Sequence, residues 1–298
     1  MKSAVLFLVF NRPDTTKQVF EAIRKAQPPR LYVAADGPRA DRQGERERCE
    51  EVRRIATAVD WECEVKTLFR EKNLGCKIGV SGGIDWFFEH EEEGIILEDD
   101  CLPAQSFFPF CDELLNRYRD DERIFIISGY NKQQEWYSSK YDYFFSHLGG
   151  IWGWASWRRA WKYYDIEMNG LEKLIDEGFF EKLLGKSLGK ERQGQLLNAK
   201  KKILLGQIST WAYQWGYTRH KYQGLACVPS VSLISNIGFG TDATHTVSNS
   251  CDHIVHKEIT LPLIVNNEVL PDLIYDRRFL GIGGVRWIVR ALFSWRVR

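Results

Sequence analysis

The chain has 298 residues, of which 44% are hydrophobic and 27% charged, a composition typical of a folded globular protein rather than a disordered chain. Its 41 basic residues almost balance its 40 acidic residues, so no overall positive charge favours nucleic acid as a partner. The seven cysteines are scattered without a C-x-x-C pair, which argues against a disulfide framework or a structural zinc site. The N-terminal apolar run ends too early for a signal peptide, and no stretch is long enough to cross a bilayer. These features together predict a cytoplasmic protein.

Apolar runs alternate with charge-rich amphipathic segments in the first half of the chain. Strands are predicted over 4–10, 31–35, 64–69, 94–97 and 124–128. Helices are predicted over 14–26, 41–59, 78–90 and 107–118. This alternation predicts an α/β fold, with a mostly parallel sheet and helices on both faces. Neither the glycine-rich dinucleotide motif nor the P-loop motif is present, so a bound diphosphate would depend on side chains and a metal ion.

The second half is rich in aromatic residues. It contains GGIWGWASWR over 149–158, two helical segments over 171–184 and 191–205, and a strand near 225–233. The spacing of Trp154 and Trp157 fits one face of a helix. We therefore predict a nucleotide-sugar-binding half over 1–130, an acceptor and catalytic half of the same domain over 131–250, and a C-terminal extension over 251–298.

The end of that extension, 276–298, carries six arginines after its single acidic residue, interleaved with apolar and aromatic residues. Such a segment can lie on an anionic membrane, here the inner face of the plasma membrane. Alternatively, it packs on the domain as a helix with its arginines reaching into solvent.

Three carboxylates follow a short apolar strand in the segment GIILEDD over 94–100. Like charges packed together cost free energy unless a cation lies among them or each finds a partner. Ligand sites of open α/β sheets lie at the carboxyl ends of strands. Along a strand, Glu98 and Asp100 point to one face and Asp99 to the other, so one carboxylate can ligate a metal while a neighbour contacts ribose or sugar hydroxyls. An acidic, solvated turn is the alternative.

A divalent cation at the triplet would suit glycosyl transfer. Mg²⁺ and Mn²⁺ prefer oxygen ligands, and such an ion stabilises the charge that grows on a departing nucleoside diphosphate. His245, in a glycine- and threonine-rich loop, could supply a second ligand as a neutral imidazole, or it could be simply solvated.

Several short motifs, in this order, resemble those of GT-A glycosyltransferases: FNRP over 10–13, ADGP over 35–38, NLG over 73–75, ILEDD over 96–100 and WGWA over 152–155. The chain is similar to bacterial family-2-like sugar transferases found with polysaccharide genes, some of them labelled haemolysin-like. The triplet also resembles that of eukaryotic N-acetylglucosaminyltransferase I. The resemblance runs from residue 3 to residue 245 and implies a GT-A-type, Rossmann-like fold.

The resemblance also implies roles for individual residues. Asp100 and His245 would bind Mn²⁺ or Mg²⁺, and Glu98 and Asp99 would hold the donor sugar and ribose. The residues that would line the nucleotide pocket are Asn11, Arg12, Asp36 and Asn73. On sequence alone, Asp36 could instead be only a turn residue and Arg12 only a strand-end cap.

An inverting transferase needs a carboxylate to take the proton of the acceptor hydroxyl. Relatives often have Asp where this chain has Ser209 and Ala212. The resemblance instead implies Asp142 as the base, because it precedes the WGW segment roughly where N-acetylglucosaminyltransferase I places its base, although the spacing is longer here. Aromatic faces stack on sugar rings, which makes Trp152, Trp154 and Trp211 candidates for the acceptor cleft.

The sequence therefore predicts a metal-dependent, inverting glycosyltransferase. It would move a sugar from a nucleotide-diphosphate sugar, a UDP-sugar by preference, to a saccharide or lipid-linked acceptor in cell-surface polysaccharide synthesis. One alternative is a sugar-1-phosphate nucleotidyltransferase, although the glycine-rich basic loop that binds a triphosphate is missing after the first strand. The other is a non-catalytic protein that binds carbohydrate or nucleotide on a degenerate transferase scaffold.

Overall fold

A computed structural model of the protein describes residues 1–136, 140–238 and 254–282. The strands are β1 Ala4–Val9, β2 Arg30–Ala35, β3 Glu64–Phe69, β4 Glu93–Glu98, β5 Cys101–Pro103, β6 Ile124–Ser128, β7 Tyr143–Ser146, β8 Trp154–Trp157, β9 Leu225–Pro229 and β10 Ile234–Asn236. The helices are α1 Pro13–Ala26, α2 Glu45–Ala56, α3 Gly75–His90, α4 Phe107–Arg117, α5 Arg158–Trp161, α6 Leu171–Asp176, α7 Phe179–Leu184, α8 Lys186–Leu204, α9 Ala212–Lys221 and α10 Leu273–Phe279.

Eight strands form one sheet in the order β3-β2-β1-β4-β8-β6-β9-β7, and β5 pairs with β10 separately. Strands β1, β2, β3 and β4 are parallel to one another, and β6 and β9 run in the same direction. Strands β8 and β7 run in the opposite direction. The predicted mostly parallel α/β sheet is confirmed, and strands from both predicted halves of the chain belong to it.

Helices cover both faces of this sheet because side chains alternate along each strand. On β1, Val5 and Phe7 enter the hydrophobic cluster that contains side chains of α1, α2 and α4. The intervening Leu6 and Leu8 enter the cluster on the opposite face, with side chains of α3, α9 and α10. Helix α3 approaches the sheet closely at Gly83, where a Cβ atom would lie 2.9 Å from Leu8 Cδ2.

The aromatic segment around residue 155 differs from its prediction. Trp154 and Trp157 do not share a helix face; they begin and end β8, which lies antiparallel between β4 and β6. Their side chains belong to the hydrophobic clusters on opposite faces of the sheet. All four residues of β8 are buried, so the hydrophobic period that distinguishes strand from helix is absent from this stretch.

Within the described ranges, no helix has both the length and the apolar character needed to cross a membrane.

Candidate functional site

The loops that follow β1, β2, β3 and β4 meet at one edge of the sheet, because these four strands are parallel neighbours. Arg12 lies in the first loop, Asp36 in the second and Asn73 in the third. The Glu98-Asp99-Asp100 triplet lies at the end of β4. Chain direction alone therefore brings six of the predicted site residues to this edge, which we call the carboxyl edge.

Arg12 connects the triplet to β1. Its guanidinium forms an ion pair with the Asp99 carboxylate, and its Nη1 donates to Asp100 Oδ2 at 3.1 Å. Asp99 is buried and also accepts a hydrogen bond from the Phe10 backbone N–H at 3.1 Å. Burial lowers the pKa of Arg12, but the charges of Asp99 and Asp100 outweigh it and raise that pKa overall. Asp99 thus joins β4 to the β1 loop through its hydrogen bonds, whereas the resemblance implied a contact with the donor sugar.

Glu98 is partly buried, and none of the described residues forms a hydrogen bond or ion pair with its carboxylate. Burial is the main cause that raises the pKa of Glu98, and the charges of Asp100 and Asp99 raise it further, to about 8. Burial likewise raises the pKa of Asp99, to about 6, against the opposing effect of Arg12. Burial and the neighbouring carboxylates thus favour the protonated form of Glu98 when no cation is bound.

Glu98 and Asp100 offer the carboxylate oxygens that divalent cations such as Mg²⁺ and Mn²⁺ prefer. They alternate with Asp99 along the chain, and the charge of Asp100 acts directly on Glu98. Mg²⁺ commonly takes one or two carboxylates and completes its coordination with phosphate oxygens and water. Over the described ranges, no three His, Cys, Asp or Glu residues form a metal-binding group by themselves. The predicted ligand His245 lies outside the described residues. The two carboxylates therefore fit an ion that a diphosphate helps to hold.

Asp36 and Asn73 lie together, as the prediction of a shared pocket requires. The Asp36 carboxylate accepts hydrogen bonds from the backbone N–H groups of Leu74 at 3.0 Å and Gly75 at 2.9 Å, and from Asn73 Nδ2 at 3.1 Å. It also accepts the Gly37 N–H at 2.9 Å. Asp36 therefore holds the first turn of α3 and the loop before it in place, and any contact with a nucleotide is additional to this role.

Asn11 is held by a residue that the sequence analysis did not identify. Its Nδ2 donates to Glu45 Oε1 at 2.8 Å, and the same carboxylate forms an ion pair with Arg39. Burial raises the pKa of Glu45, but its hydrogen bonds with Arg39 outweigh that effect and lower it overall. In the sequence, Glu45 stands among many charged residues of a helix predicted to be solvated, so no pattern marked it as buried.

Two adjoining clefts open beside the Asp36 loop, with volumes of about 390 and 550 Å³. Both are lined by Arg46 and Lys72. The further basic residues that line one cleft or the other are Arg39, Arg42, Arg53 and Arg70. Acidic side chains line the clefts too, including Glu71. The carboxyl edge is therefore flanked by a surface with more basic than acidic groups.

The three predicted acceptor tryptophans lie in two different environments. Trp152 is partly exposed and packs against Tyr130, with the ring centroids 4.5 Å apart. Trp154 and Trp211 are 0% and 2% exposed and pack against each other in the core. Both rings therefore belong to the hydrophobic core, and their burial does not fit the predicted stacking on an acceptor.

Asp142 is not brought to the triplet. It precedes β7, the fourth strand from β4 across the sheet, which corresponds to about 19 Å at the usual spacing of neighbouring strands. Its Oδ2 accepts a hydrogen bond from the Ile264 backbone N–H at 2.6 Å. Asp142 therefore fastens the C-terminal segment to the edge of the sheet, and the structure gives no support to its predicted role as base.

Ser209 lies close to the site without supplying a carboxylate. Its Oγ accepts a hydrogen bond from the Lys77 backbone N–H at 3.0 Å, in the first turn of α3. Ala212 is the first residue of α9.

No family model matches the chain, and no curated protein matches it either. Among solved structures, HddC from Yersinia pseudotuberculosis is 9% identical with a TM-score of 0.27, over 40% of this chain and 55% of its own. UDP-glucose pyrophosphorylase complexed with UDP-glucose is 12% identical with a TM-score of 0.26, over 43% of this chain and 58% of its own. The chain thus spans little more than half the length of either structure.

An apo UDP-glucose pyrophosphorylase is 8% identical with a TM-score of 0.38, over 80% of this chain and 93% of its own. These likenesses are too low to carry an argument about function. They leave the resemblance to GT-A glycosyltransferases unconfirmed.

Proposed function

We propose that the protein is an enzyme that binds a nucleotide-diphosphate sugar at the carboxyl edge and transfers its sugar to a saccharide or lipid-linked acceptor. The observation that carries the proposal is the convergence of Arg12 and the Glu98-Asp99-Asp100 triplet at the ends of the adjacent strands β1 and β4. Carboxylates and a guanidinium side by side suit a ligand that carries both a cation and phosphate groups.

Each residue of the site has a separate role in this proposal. Asp99 is buried, forms an ion pair with Arg12 and orients it, and the remaining N–H donors of Arg12 can reach a phosphate oxygen. Glu98 and Asp100 would hold Mn²⁺ or Mg²⁺, and Glu98 would release its proton as the ion binds. When bound, the ion supplies electrostatic stabilisation of the departing diphosphate. Asp36, Asn73 and Asn11 form the wall proposed to face the base and ribose, and Trp152 is the aromatic face left for the acceptor.

A nucleotidyltransferase acting on a sugar 1-phosphate is the second candidate, and specific observations favour it. A triphosphate needs several cationic groups, and the basic clefts lie beside the same edge. The attacking sugar phosphate is already an anion and needs no base, which agrees with the position of Asp142 far from the triplet.

UDP binding, measured by calorimetry with and without Mn²⁺, tests the shared part of both candidates. We expect the wild type to bind UDP more tightly with Mn²⁺ and the Asp100→Ala variant to lose that dependence. Asp14→Ala removes an exposed carboxylate from the first turn of α1 and should behave as the wild type. If the UDP affinity is the same with and without Mn²⁺, and the same in Asp100→Ala as in the wild type, the metal assignment is contradicted.

The products then separate the two candidates. A glycosyltransferase releases UDP from a UDP-sugar when an acceptor is present or by slow hydrolysis. A nucleotidyltransferase forms UTP and sugar 1-phosphate from the same UDP-sugar, but only when pyrophosphate is added. A protein that binds UDP and forms neither product would be the non-catalytic binding protein. Peripheral membrane contact through 276–298 remains a separate prediction, to be tested by sedimentation with anionic vesicles.

A further inference from the structure

Two arginines are buried together away from the carboxyl edge and lack a carboxylate partner. Arg192 of α8 is 9% exposed and Arg219 of α9 is 3% exposed. Over the described ranges, neither guanidinium has a carboxylate oxygen within ion-pair distance. An isolated buried charge is strongly unfavourable in a protein interior, and two like charges are worse.

The hydrogen bonds of the pair are incomplete. Arg219 Nη2 donates to the Gly149 carbonyl at 3.3 Å, but its Nε and Nη1 are buried without an acceptor. Arg192 is better satisfied: its Nε donates to His220 Nε2 at 2.9 Å, which requires that nitrogen to be unprotonated, and its Nη1 donates to Gln195 Oε1 at 3.4 Å. The buried Oε1 of Gln214 in α9 also lacks a donor.

The surrounding titratable groups do not neutralise the two arginines. Burial and the neighbouring arginines lower the pKa of His220 well below its usual value, and burial lowers that of His147 to about 4, so both are neutral. Asp276 is the carboxylate whose charge acts on Arg219. Its oxygens accept hydrogen bonds from Ser146 Oγ at 2.5 Å and from the backbone N–H of His147 at 3.3 Å. Asp276 is thus hydrogen-bonded to Ser146 and His147 and forms no ion pair with either arginine. The two guanidinium groups therefore carry more positive charge than this single carboxylate can balance.

We infer that Arg192 and Arg219 form a buried site for a phosphate-class oxyanion. A dianion matches two guanidinium charges, and planar guanidinium forks bind tetrahedral oxyanions with parallel hydrogen bonds. Gly149 packs closely here, since a Cβ at this position would lie 2.6 Å from Ala226 Cβ and 3.4 Å from Arg219 Nη1, so the backbone carbonyl of Gly149 can approach the guanidinium. Gly149 and Gly150 precede Trp152, so the site lies behind the loop that carries the proposed acceptor-facing ring.

This inference does not depend on the proposed function. A free phosphate ion and the phosphate group of a sugar phosphate share the recognised chemistry, and the experiment separates them. Purified protein is exhaustively dialysed into chloride buffer, and its thermal unfolding is followed at constant ionic strength while inorganic phosphate or glucose 1-phosphate is added at 0.1 to about 10 mM.

We expect phosphate to raise the melting temperature of the wild type with a saturating dependence. Arg219→Met should abolish that dependence while leaving the phosphate-free protein at least as stable, because it removes an uncompensated buried charge. Arg192→Met serves the same purpose if the first variant does not fold. Arg54→Met removes an exposed charge from α2 and should keep the wild-type dependence.

A response to both anions, or to inorganic phosphate alone, supports the site. The second result means that the site admits the free ion but not a sugar phosphate. A response to glucose 1-phosphate alone supports it as a subsite for a phosphorylated substrate. The inference is overturned if neither anion raises the melting temperature above that in chloride. It is equally overturned if Arg219→Met and Arg192→Met retain the wild-type response.

Discussion

Gly238 lies against two charged residues of the proposed site. A Cβ atom at this position would lie 2.4 Å from Asp100 Oδ2 and 2.7 Å from Arg12 Nη1. Gly238→Ala must therefore displace the Arg12–Asp100 pair, and we expect UDP affinity to fall roughly tenfold, equivalent to about 1.4 kcal/mol. Calorimetric titration with UDP measures the change.

The matched control is Gly194→Ala in α8, where an added Cβ meets no other atom within 4 Å. That variant should bind UDP as the wild type does and gain about 0.5–1 kcal/mol of stability, because alanine favours a helix over glycine. Unchanged UDP affinity in Gly238→Ala would show that the Arg12–Asp100 pair is not part of the nucleotide site.

The raised pKa of Glu98 predicts a dependence of stability on pH. Its pKa is about 8 in the folded protein and near 4.5 when unfolded, so between these values the folded state holds a proton that the unfolded state has lost. Stability therefore falls as pH rises through this interval. Glutamine does not ionise, so Glu98→Gln removes this fall in stability at high pH. We expect the substitution to stabilise the metal-free protein on the order of 2 kcal/mol more at pH 9 than at pH 5.

Thermal unfolding of both proteins at pH 5 and pH 9, with a chelator present, measures this difference. Glu93→Gln is a useful control, since Glu93 lies at the opposite end of β4 and forms an ion pair with Arg119 near the surface. The assignment fails if Glu98→Gln shifts the melting temperature equally at the two pH values.

At the scale of residues, the sequence identified the acidic positions better than their partners. The position of the triplet after an apolar strand follows from local pattern. The predicted strand alternation does not reach Asp99 and Asp100, because β4 ends at Glu98 and these two residues lie in the turn before β5. That Arg12 pairs with both Asp99 and Asp100 depends on β1 and β4 being neighbours, a contact across 87 residues. The burial of Glu45 depends on one local partner, Arg39, which is 6 residues away, and on one distant partner, Asn11, which is 34 residues away.

At the scale of elements, α3 depends on a carboxylate from another part of the chain. Its N-cap, Leu74, supplies no side-chain hydrogen bond, and Asp36 accepts the Leu74 and Gly75 backbone N–H groups instead. We expect Asp36→Ala to destabilise the ligand-free protein by about 1 kcal/mol, because the N–H groups at the start of α3 lose their acceptor. Chemical denaturation without nucleotide measures this loss.

Asp41→Ala, which removes an exposed carboxylate from the loop before α2, should change stability by less than about 0.5 kcal/mol. An Asp36→Ala variant with wild-type stability but lost UDP binding would show instead that Asp36 acts only as a ligand contact. The sequence placed Asp36 directly after the second strand, as observed, but the N–H groups of Leu74 and Gly75 that it accepts lie almost forty residues further on.

Strand β8 shows where sequence patterns stop being informative at this scale. Its four residues are buried on both faces of the sheet, so the alternation of apolar and polar residues that marks a half-exposed strand is absent. The helix-like spacing of Trp154 and Trp157 is a coincidence of two residues that face opposite hydrophobic clusters. By contrast, α1 was predicted over 14–26 and observed at Pro13–Ala26, because one of its faces is exposed and its pattern is complete.

At the scale of the whole molecule, the protein combines a large sheet-centred core with a smaller helical cluster. Five buried residues form that cluster, and they come from α6, α7, α8, α9 and the segment before α6: Met168, Leu171, Phe180, Leu196 and Tyr217. The two clusters on the sheet contain many more buried side chains. Since local stability follows buried apolar contact, we expect the helical cluster to open at lower free energy than the sheet.

Leu196→Ala tests this separation. The substitution removes a fully buried side chain from the smaller cluster, and a Leu→Ala change in a core costs about 2–5 kcal/mol. We expect hydrogen exchange to accelerate in α6, α7 and α8 while the amides of β1 and β4 keep their wild-type rates. Leu197→Ala, on the exposed side of the same helix, should change neither. Equal acceleration in the sheet would mean that the helical cluster and the sheet unfold as one cooperative unit, and that the buried Arg192–Arg219 pair is exposed only on global unfolding.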